Sequence, residues 1–584
     1  MIRRDRFLDA VFPVVLLLTI WGIFLFQAPY RLEFKEQISI FLCGADRMGW
    51  YLSNPGVIAS ILGDWLTQFY INANVGAALS ILLLGLITAG LVRFYRITEP
   101  QRHAVLLLLM IPVFLEGYFI IFINYPVSTT VGLAISVWSA CALSHIKDSR
   151  FAPWIYGVSV PVMFVIAGGH AFTMALLLGY LKRHDVAATV ICLVAGLIAM
   201  ILCGRLYNLT LMQTFIWPVV PRYIIPNVKL LLLEPVLILA VMALTQLYYR
   251  IKDTHLKTIV LFSSVIIFNV IFIVGSDKEL ENVVKIGTKA YRNEWKEVKK
   301  MAESAEPNYY RNFYWYLCNA RDGHLADDLL KGRWGMSSNS MFLSTGKGDP
   351  YFSMMYFTDA LLEIGDVSQA TDCALLAQTV MPGHYSTRLL RRLAEISVVT
   401  GDYDVASKYL NILLRTRNHR DWARKLLDCI AADDIPEQYL IWRSRTAPAD
   451  HFFAQGDIRS SLVIIADEVP YNKTAIDYLL CSYLIDKNVN SFIAAYDRYY
   501  LDKLDQIVSV PDVYQEALLA SVNSNESLRE TVEKYRLSQR VVEKFLRQME
   551  TRAKSEDPNV ITEEAVGTYW HYLMAVSFYN MNQR

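Results

Sequence analysis

Two acidic residues, Asp46 and Asp64, lie in the polar stretch 29–73 that follows the first long apolar run. A carboxylate can act as a general base towards a hydroxyl. Arg205 and Arg222, with Lys229, stand in a second polar stretch, 204–229, and guanidinium geometry suits a phosphate. Glu116, in MIPVFLEGYFIIFIN, falls near the middle of an apolar run. A carboxyl there is costly and so marks a candidate substrate or proton site; the plainer alternative is a carboxyl hydrogen-bonded to a neighbouring helix. His170 follows Gly168-Gly169 at a break in another apolar run, either as ligand or acid–base group or as a satisfied interfacial histidine. Glu33 and Glu36 alternate with Arg31 and Lys35 and read as a solvated juxtamembrane stretch.

Other chemistry is not indicated. The eight cysteines (Cys43, Cys141, Cys192, Cys203, Cys318, Cys373, Cys429 and Cys481) stand singly and form no CxxC, so neither a metal site nor a redox pair is expected. There is no GxxxxGK[ST], HExxH or GxSxG, and Gly346-Lys347-Gly348-Asp349-Pro350 reads as a turn. No cofactor is implied. A net charge of +1, without a basic stripe interleaved with aromatics, argues against nucleic acid as a partner.

The elements that must position these residues change character near residue 276. Ahead of it, apolar runs at roughly 11–28, 74–93, 104–123, 126–145, 186–203, 230–248 and 258–275 approach the length of about 20 residues that spans a bilayer. The run 152–181 is too long for one span and short for two. Basic residues cluster at Arg3/Arg4/Arg6, Arg93/Arg96/Arg102, Lys147/Arg150, Lys182/Arg183 and Arg250/Lys252/Lys257. All five fall on one side of the membrane if 152–181 enters and returns as a hairpin turning at Gly168-Gly169. The expectation is a multi-pass domain over 1–275 with about nine membrane elements, a cytoplasmic N-terminus and a long first outer loop, 29–73. Within that loop Val57, Ile58, Ile61, Leu62, Trp65, Leu66 and Phe69 recur at helical spacing, opposite Ser60, Asp64, Thr67 and Gln68. That pattern predicts an amphipathic helix in the headgroup plane.

Behind residue 276 the punctuation is that of paired helices. Gly365-Asp366 with Ala370 and Ala377 is echoed 36 residues later by Gly401-Asp402 with Ala406. A glycine ending one helix and small residues where the next packs on it form a helix–turn–helix signature. Arg292-Asn293-Glu294, Gly456-Asp457 and Lys487-Asn488 look like degenerate copies. These stretches resemble tetratricopeptide (TPR) repeats over about 276–510, with 511–584 as a C-terminal helical cap. With the apolar half, the chain resembles a family of multi-pass bacterial membrane proteins with repeat-like tails, found in Bacteroides relatives and classed as a domain of unknown function. The resemblance brings no assigned site residues.

The fold class expected is therefore all-α: a polytopic helical membrane domain followed by a TPR-like solenoid on the periplasmic side of the inner membrane. The function expected is a platform that binds a protein or peptide partner at the cell envelope. The enzyme alternative is a GT-C-like glycosyltransferase acting on a lipid-linked saccharide, with Asp46 or Asp64 as the acid and Arg205 or Arg222 at the phosphate. A transporter, which would need broken helices in matching positions of two halves, is the third possibility.

Overall fold

The computed structural model describes residues 2–98, 106–146, 151–182, 186–219, 276–304, 308–331, 337–343, 350–448, 458–522, 524–555 and 560–575, with scattered positions between 235 and 274. Among the described residues the chain is helical throughout and no strand occurs. Two compact units emerge. The first is Met1–Lys285 together with two segments from the C-terminal half, Met381–Arg388 and Asn411–Ala423; the second is the remainder. The expected repeat turn Gly456-Asp457, Arg222, Lys229 and most of the two apolar runs at 230–248 and 258–275 lie outside the described residues.

The first unit begins with α1 (Ile2–Gln27), then α2 (Pro29–Gln37), α3 (Ala45–Leu52) and α4 (Val57–Thr67). The helices α5 (Ala73–Thr98), α6 (Leu106–Ile120), α7 (Val127–Leu143), α8 (Ala152–Ala167), α9 (Ala171–Leu181), α10 (Val186–Leu206) and α11 (Leu211–Ile216) follow. Two described stretches, Ala73–Arg96 and Trp154–Leu181, are long and apolar enough to cross a membrane. A third is added if Pro13–Gln27 and Pro29–Gln37, which meet at 74°, count as one broken span.

The stretch Trp154–Leu181 is not straight. A Cβ added to Gly196 would lie 3.2 Å from Val160 Cγ2 and 3.3 Å from Ala175 Cβ. In one continuous helix those two residues would be separated by more than about 20 Å, at 1.5 Å per residue. The Lys182 ammonium also sits 5.8 Å from the centre of the Tyr156 ring. Helices α8 and α9 therefore fold back on each other, as the glycine pair suggested. Gly168 turns the chain with φ of +69°, and a side chain on Gly169 would strike Phe215 O at 2.3 Å. At both positions the path of the turn depends on the lack of a side chain.

Helix α4 is amphipathic as expected, and its small and polar face is the buried one. Ala59, Ser60, Gly63 and Thr67 face inward, and a Cβ on Gly63 would fall 2.5 Å from Ser128 Cα on α7. Ile58, Leu62 and Trp65 face outward. The same inversion runs through the unit. Ser80, Thr88, Glu116, Ser136 and Thr173 are buried, while Leu18, Trp21, Leu82, Trp154, Val158, Val162, Ile198 and Leu202 are exposed. A core of Ile20, Phe24, Leu84, Phe94, Val113, Phe114, Val137 and Phe164 lies between.

The second unit is built from helix pairs. Helices α12 (Pro350–Ile364) and α13 (Val367–Val380) join through Gly365 at φ +97°, and α14 (Thr387–Thr400) and α15 (Tyr403–Leu413) through Gly401 at φ +84°. Asn293 and Lys487 also hold left-handed backbone, at φ 60° and 57°. The predicted turn at each of these four positions is present. Tyr569 and Tyr572 donate their hydroxyls to Leu484 O and Ile485 O at 3.0 and 2.7 Å, fastening the helix Tyr569–Ala575 to an earlier pair.

Candidate functional site

The first long loop does not lie solvated along the surface. Every residue from Arg31 to Gln37 is buried, which corrects the expectation for Arg31, Glu33, Lys35 and Glu36. The physical reason is that Arg31, Lys35 and Glu36 each have a fixed partner distant in sequence, so burial does not strand them. Arg31 Nε donates to Glu281 Oε2 at 3.1 Å and its Nη2 to Asp277 O at 2.9 Å. Glu36 Oε1 accepts from Asn418 Nδ2 at 3.0 Å and meets His419 Nε2 at 3.2 Å. Gln37 receives Arg388 Nη1 at 2.9 Å and its carbonyl receives the Ser386 hydroxyl at 2.6 Å. All of these groups belong to the first unit.

Beside this anchored stretch is a cavity of about 120 Å³. Its walls come from six pieces of chain: α2 and its exit (Lys35, Ser39), α3 (Arg47, Trp50), α4 (Ser60, Asp64, Thr67), the α6–α7 turn with the start of α7 (Asn124, Tyr125, Ser128), Trp217-Pro218 and Gly383 with Tyr385. Three hydrogen bonds tie the Trp217 piece and the start of α4 to the α8–α9 hairpin. Gly169 N–H donates to Trp217 O at 3.1 Å, and Gly56 N–H to Phe164 O at 3.1 Å. Trp217 Nε1 donates to Pro55 O at 2.8 Å. The hairpin tip between α8 and α9 thus holds both Trp217 and the start of α4.

The charged groups of the cavity are Lys35, Arg47 and Asp64. Arg47 Nη2 donates to Asp64 Oδ2 at 3.1 Å, and the Tyr51 hydroxyl donates to the same oxygen at 2.7 Å. Burial pushes the Asp64 carboxyl above the ordinary carboxylate range, against the pull of Arg47 and the Tyr51 hydrogen bond. The guanidinium carbon of Arg47 lies 4.1 Å from the Trp50 ring centre, 5.0 Å from that of Tyr51 and 5.2 Å from that of Tyr385. The Lys35 ammonium donates to Phe122 O at 3.0 Å and to Tyr125 O. Beneath it the Tyr125 hydroxyl donates to Glu116 Oε2 at 2.7 Å, and Thr130 donates to Glu116 Oε1. Glu116 is thus held by hydroxyls of the loop and helix that carry the cavity floor.

Of the residues singled out from the sequence, Asp64 lines the cavity and Glu116 supports it from below. Asp46 is exposed on α3 and Arg205 is exposed near the end of α10; neither lines the cavity. His170 is buried in the hairpin turn against Gly132, whose added Cβ would meet its Cδ2 at 3.3 Å. Arg222 lies outside the described residues. Arg47, Lys35, Trp50 and Tyr385 are the residues the sequence did not announce. Among the described residues no group of three or more His, Cys, Asp or Glu is arranged to hold a metal.

The chain belongs to a family of unknown function, DUF6057, whose model matches residues 6–576. No curated protein and no solved structure matches it.

Proposed function

We propose that this is an integral membrane protein whose first long loop closes a ligand pocket at the outer end of a helical bundle. The observation that carries the reading is the inverted polarity of the first unit. Leu18, Trp21, Leu82, Trp154, Val158 and Leu202 face outward while Glu116, Ser80, Thr88, Ser136 and Thr173 face inward. Water would penalise that arrangement; hydrocarbon favours it. The folded-back pair α8 and α9 supports the parity argument, because it returns Lys182 to the side of Tyr156. The N-terminus is then cytoplasmic, and the cavity and the C-terminal unit are extracytoplasmic. Compartment-sensitive reporters fused after residue 280 and inserted at 182–185 test this. The expected result is outside for the first and inside for the second; a cytoplasmic report from the first overturns it.

Within that frame a GT-C-like enzyme acting on a lipid-linked saccharide is favoured by one observation: Asp64 of the first outer loop lines a cavity that also presents Arg47 and aromatic rings. Asp64→Asn should abolish such a transfer while Asp46→Asn leaves it intact, since Asp46 is exposed and away from the cavity. Equal effects from the two substitutions would remove Asp64 from the chemistry. The platform reading rests on the helix pairs of the second unit. Two turns that a free array would offer to a partner, 381–388 and 411–423, are instead occupied within the first unit. The exposed Leu375 and Leu376 on α13 are the face to alter when that reading is tested by partner capture.

A further inference from the structure

Arg47 is 8% exposed, and its Nε and Nη1 nitrogens meet no hydrogen-bond acceptor. Asp64 engages the third nitrogen through a single oxygen, and Trp50 and Tyr385 shield the rest of the guanidinium from water. Leaving buried N–H donors of a permanent cation unsatisfied is costly. A fold that fixes Arg47 in this way while lining a cavity with it has room for an acceptor to arrive. The cavity's ionisable groups are the permanent cation Arg47, Lys35, whose ammonium burial draws down to about 7, and Asp64. Around them stand the hydroxyls of Ser39, Ser60, Thr67 and Ser128 and the rings of Trp50, Trp217 and Tyr385. At about 120 Å³ the cavity is about eight times the ~15 Å³ that one water needs.

We propose that the cavity is a phosphate-ester site, in which Arg47 gives its unpartnered N–H groups to phosphate oxygens and the aromatic walls take the sugar or headgroup that the phosphate carries. This rests on the reading of the cavity as a ligand pocket and adds the class of ligand. A phosphate ester matches the lining because its several oxygens can accept from Arg47 and from the surrounding hydroxyls together, and sugar rings pack well against indole and phenol faces. A soluble sugar phosphate and a lipid-borne one share this chemistry.

The test is calorimetric titration of the full-length protein in detergent micelles with four probes: inorganic phosphate, glucose 1-phosphate, farnesyl phosphate and the neutral methyl glucoside. One of the two esters should bind at least tenfold more tightly than inorganic phosphate. Preference for glucose 1-phosphate marks a soluble source and preference for farnesyl phosphate a lipid source. Arg47→Ala should weaken that binding at least tenfold, and Arg47→Lys severalfold, with thermal midpoints reporting that each variant is folded. Should Arg47→Ala fail to fold, Arg47→Lys decides, and an unchanged affinity overturns the proposal. Methyl glucoside binding without ester binding leaves the pocket and refutes the phosphate; inorganic phosphate binding as tightly as the esters also refutes it. If no probe binds, the ligand pocket itself falls.

Discussion

Replacing Glu281 by glutamine tests whether the first loop is held by charge. Glu281 receives three donors: Tyr30 N–H at 2.8 Å on Oε1, and Arg31 N–H at 3.3 Å and Arg31 Nε at 3.1 Å on Oε2. Arg31 is 1% exposed, so the guanidinium cannot turn to water when its counter-charge goes. Its Nη2 would keep Asp277 O, at 2.9 Å, as an acceptor. Glutamine is nearly isosteric and can still accept from Tyr30, but its NH2 group would face the Arg31 donors. Breaking a buried pair from one side costs about 3–5 kcal/mol. At about 2–4 °C per kcal/mol for a unit of a few hundred residues, the thermal midpoint in detergent should fall by roughly 6–20 °C. Arg31→Met alone should cost a similar amount, and the double variant Arg31→Met/Glu281→Gln should be less destabilised than the sum of the two, since no charge is left stranded. Losses below about 1 kcal/mol, or strict additivity in the cycle, would refute the claim that this pair anchors the loop.

Two further outcomes concern the second unit. Glu516, 5% exposed, accepts the Tyr569 N–H at 2.8 Å, and burial raises its carboxyl from 4.5 to about 7. The folded state holds the proton to higher pH than the unfolded chain, so the stabilisation is full below about pH 4.5 and is lost as the pH rises through about 7, amounting to about 3 kcal/mol. Hydrogen exchange of amides 512–519 in the full chain should accelerate from pH 5 to 8, after correction for intrinsic exchange, and Glu516→Gln should flatten the trend; a wild-type profile as flat as the variant's would exclude the titration. The second concerns two turn glycines. Gly401→Ala has open space around it at φ +84° and should cost roughly 1–2 kcal/mol of backbone strain. Gly365→Ala, at φ +97°, would also place its Cβ 2.3 Å from Arg445 O and should cost about 1–3 kcal/mol more. Equal midpoints for the two variants would mean that the Arg445 segment yields without resistance.

What the sequence discloses here depends on whether a residue's partner is local. The turn at Gly365 could be read because a left-handed helix end and the small residues after it lie within a dozen positions. The same holds for the glycine pair at 168–169 and for the stripes of α4, whose period marks two faces without saying which is buried. The choice between faces came from the surroundings: Gly63 admits the backbone of α7, and a polar face can be buried there because Ser128 and Tyr51 meet it. The stretch Arg31–Gln37 gave the opposite impression. Charges alternating with apolar residues look solvated when read locally, yet Glu281, Arg388, Asn418 and His419 lie some 250 to 380 positions away and satisfy them. Arg47 makes a related point: it follows Asp46 in the sequence, but its acidic partner is Asp64, 17 residues on, and Asp46 is left exposed. A helix of nine residues with six that are charged or amide-bearing or phenolic, and no apolar stripe to bury, has no reason to dock on its own account. That all of Arg31–Gln37 is nevertheless buried means the loop is placed by specific polar pairing, so its position, and with it the shape of the cavity, should respond to single substitutions far away in the chain.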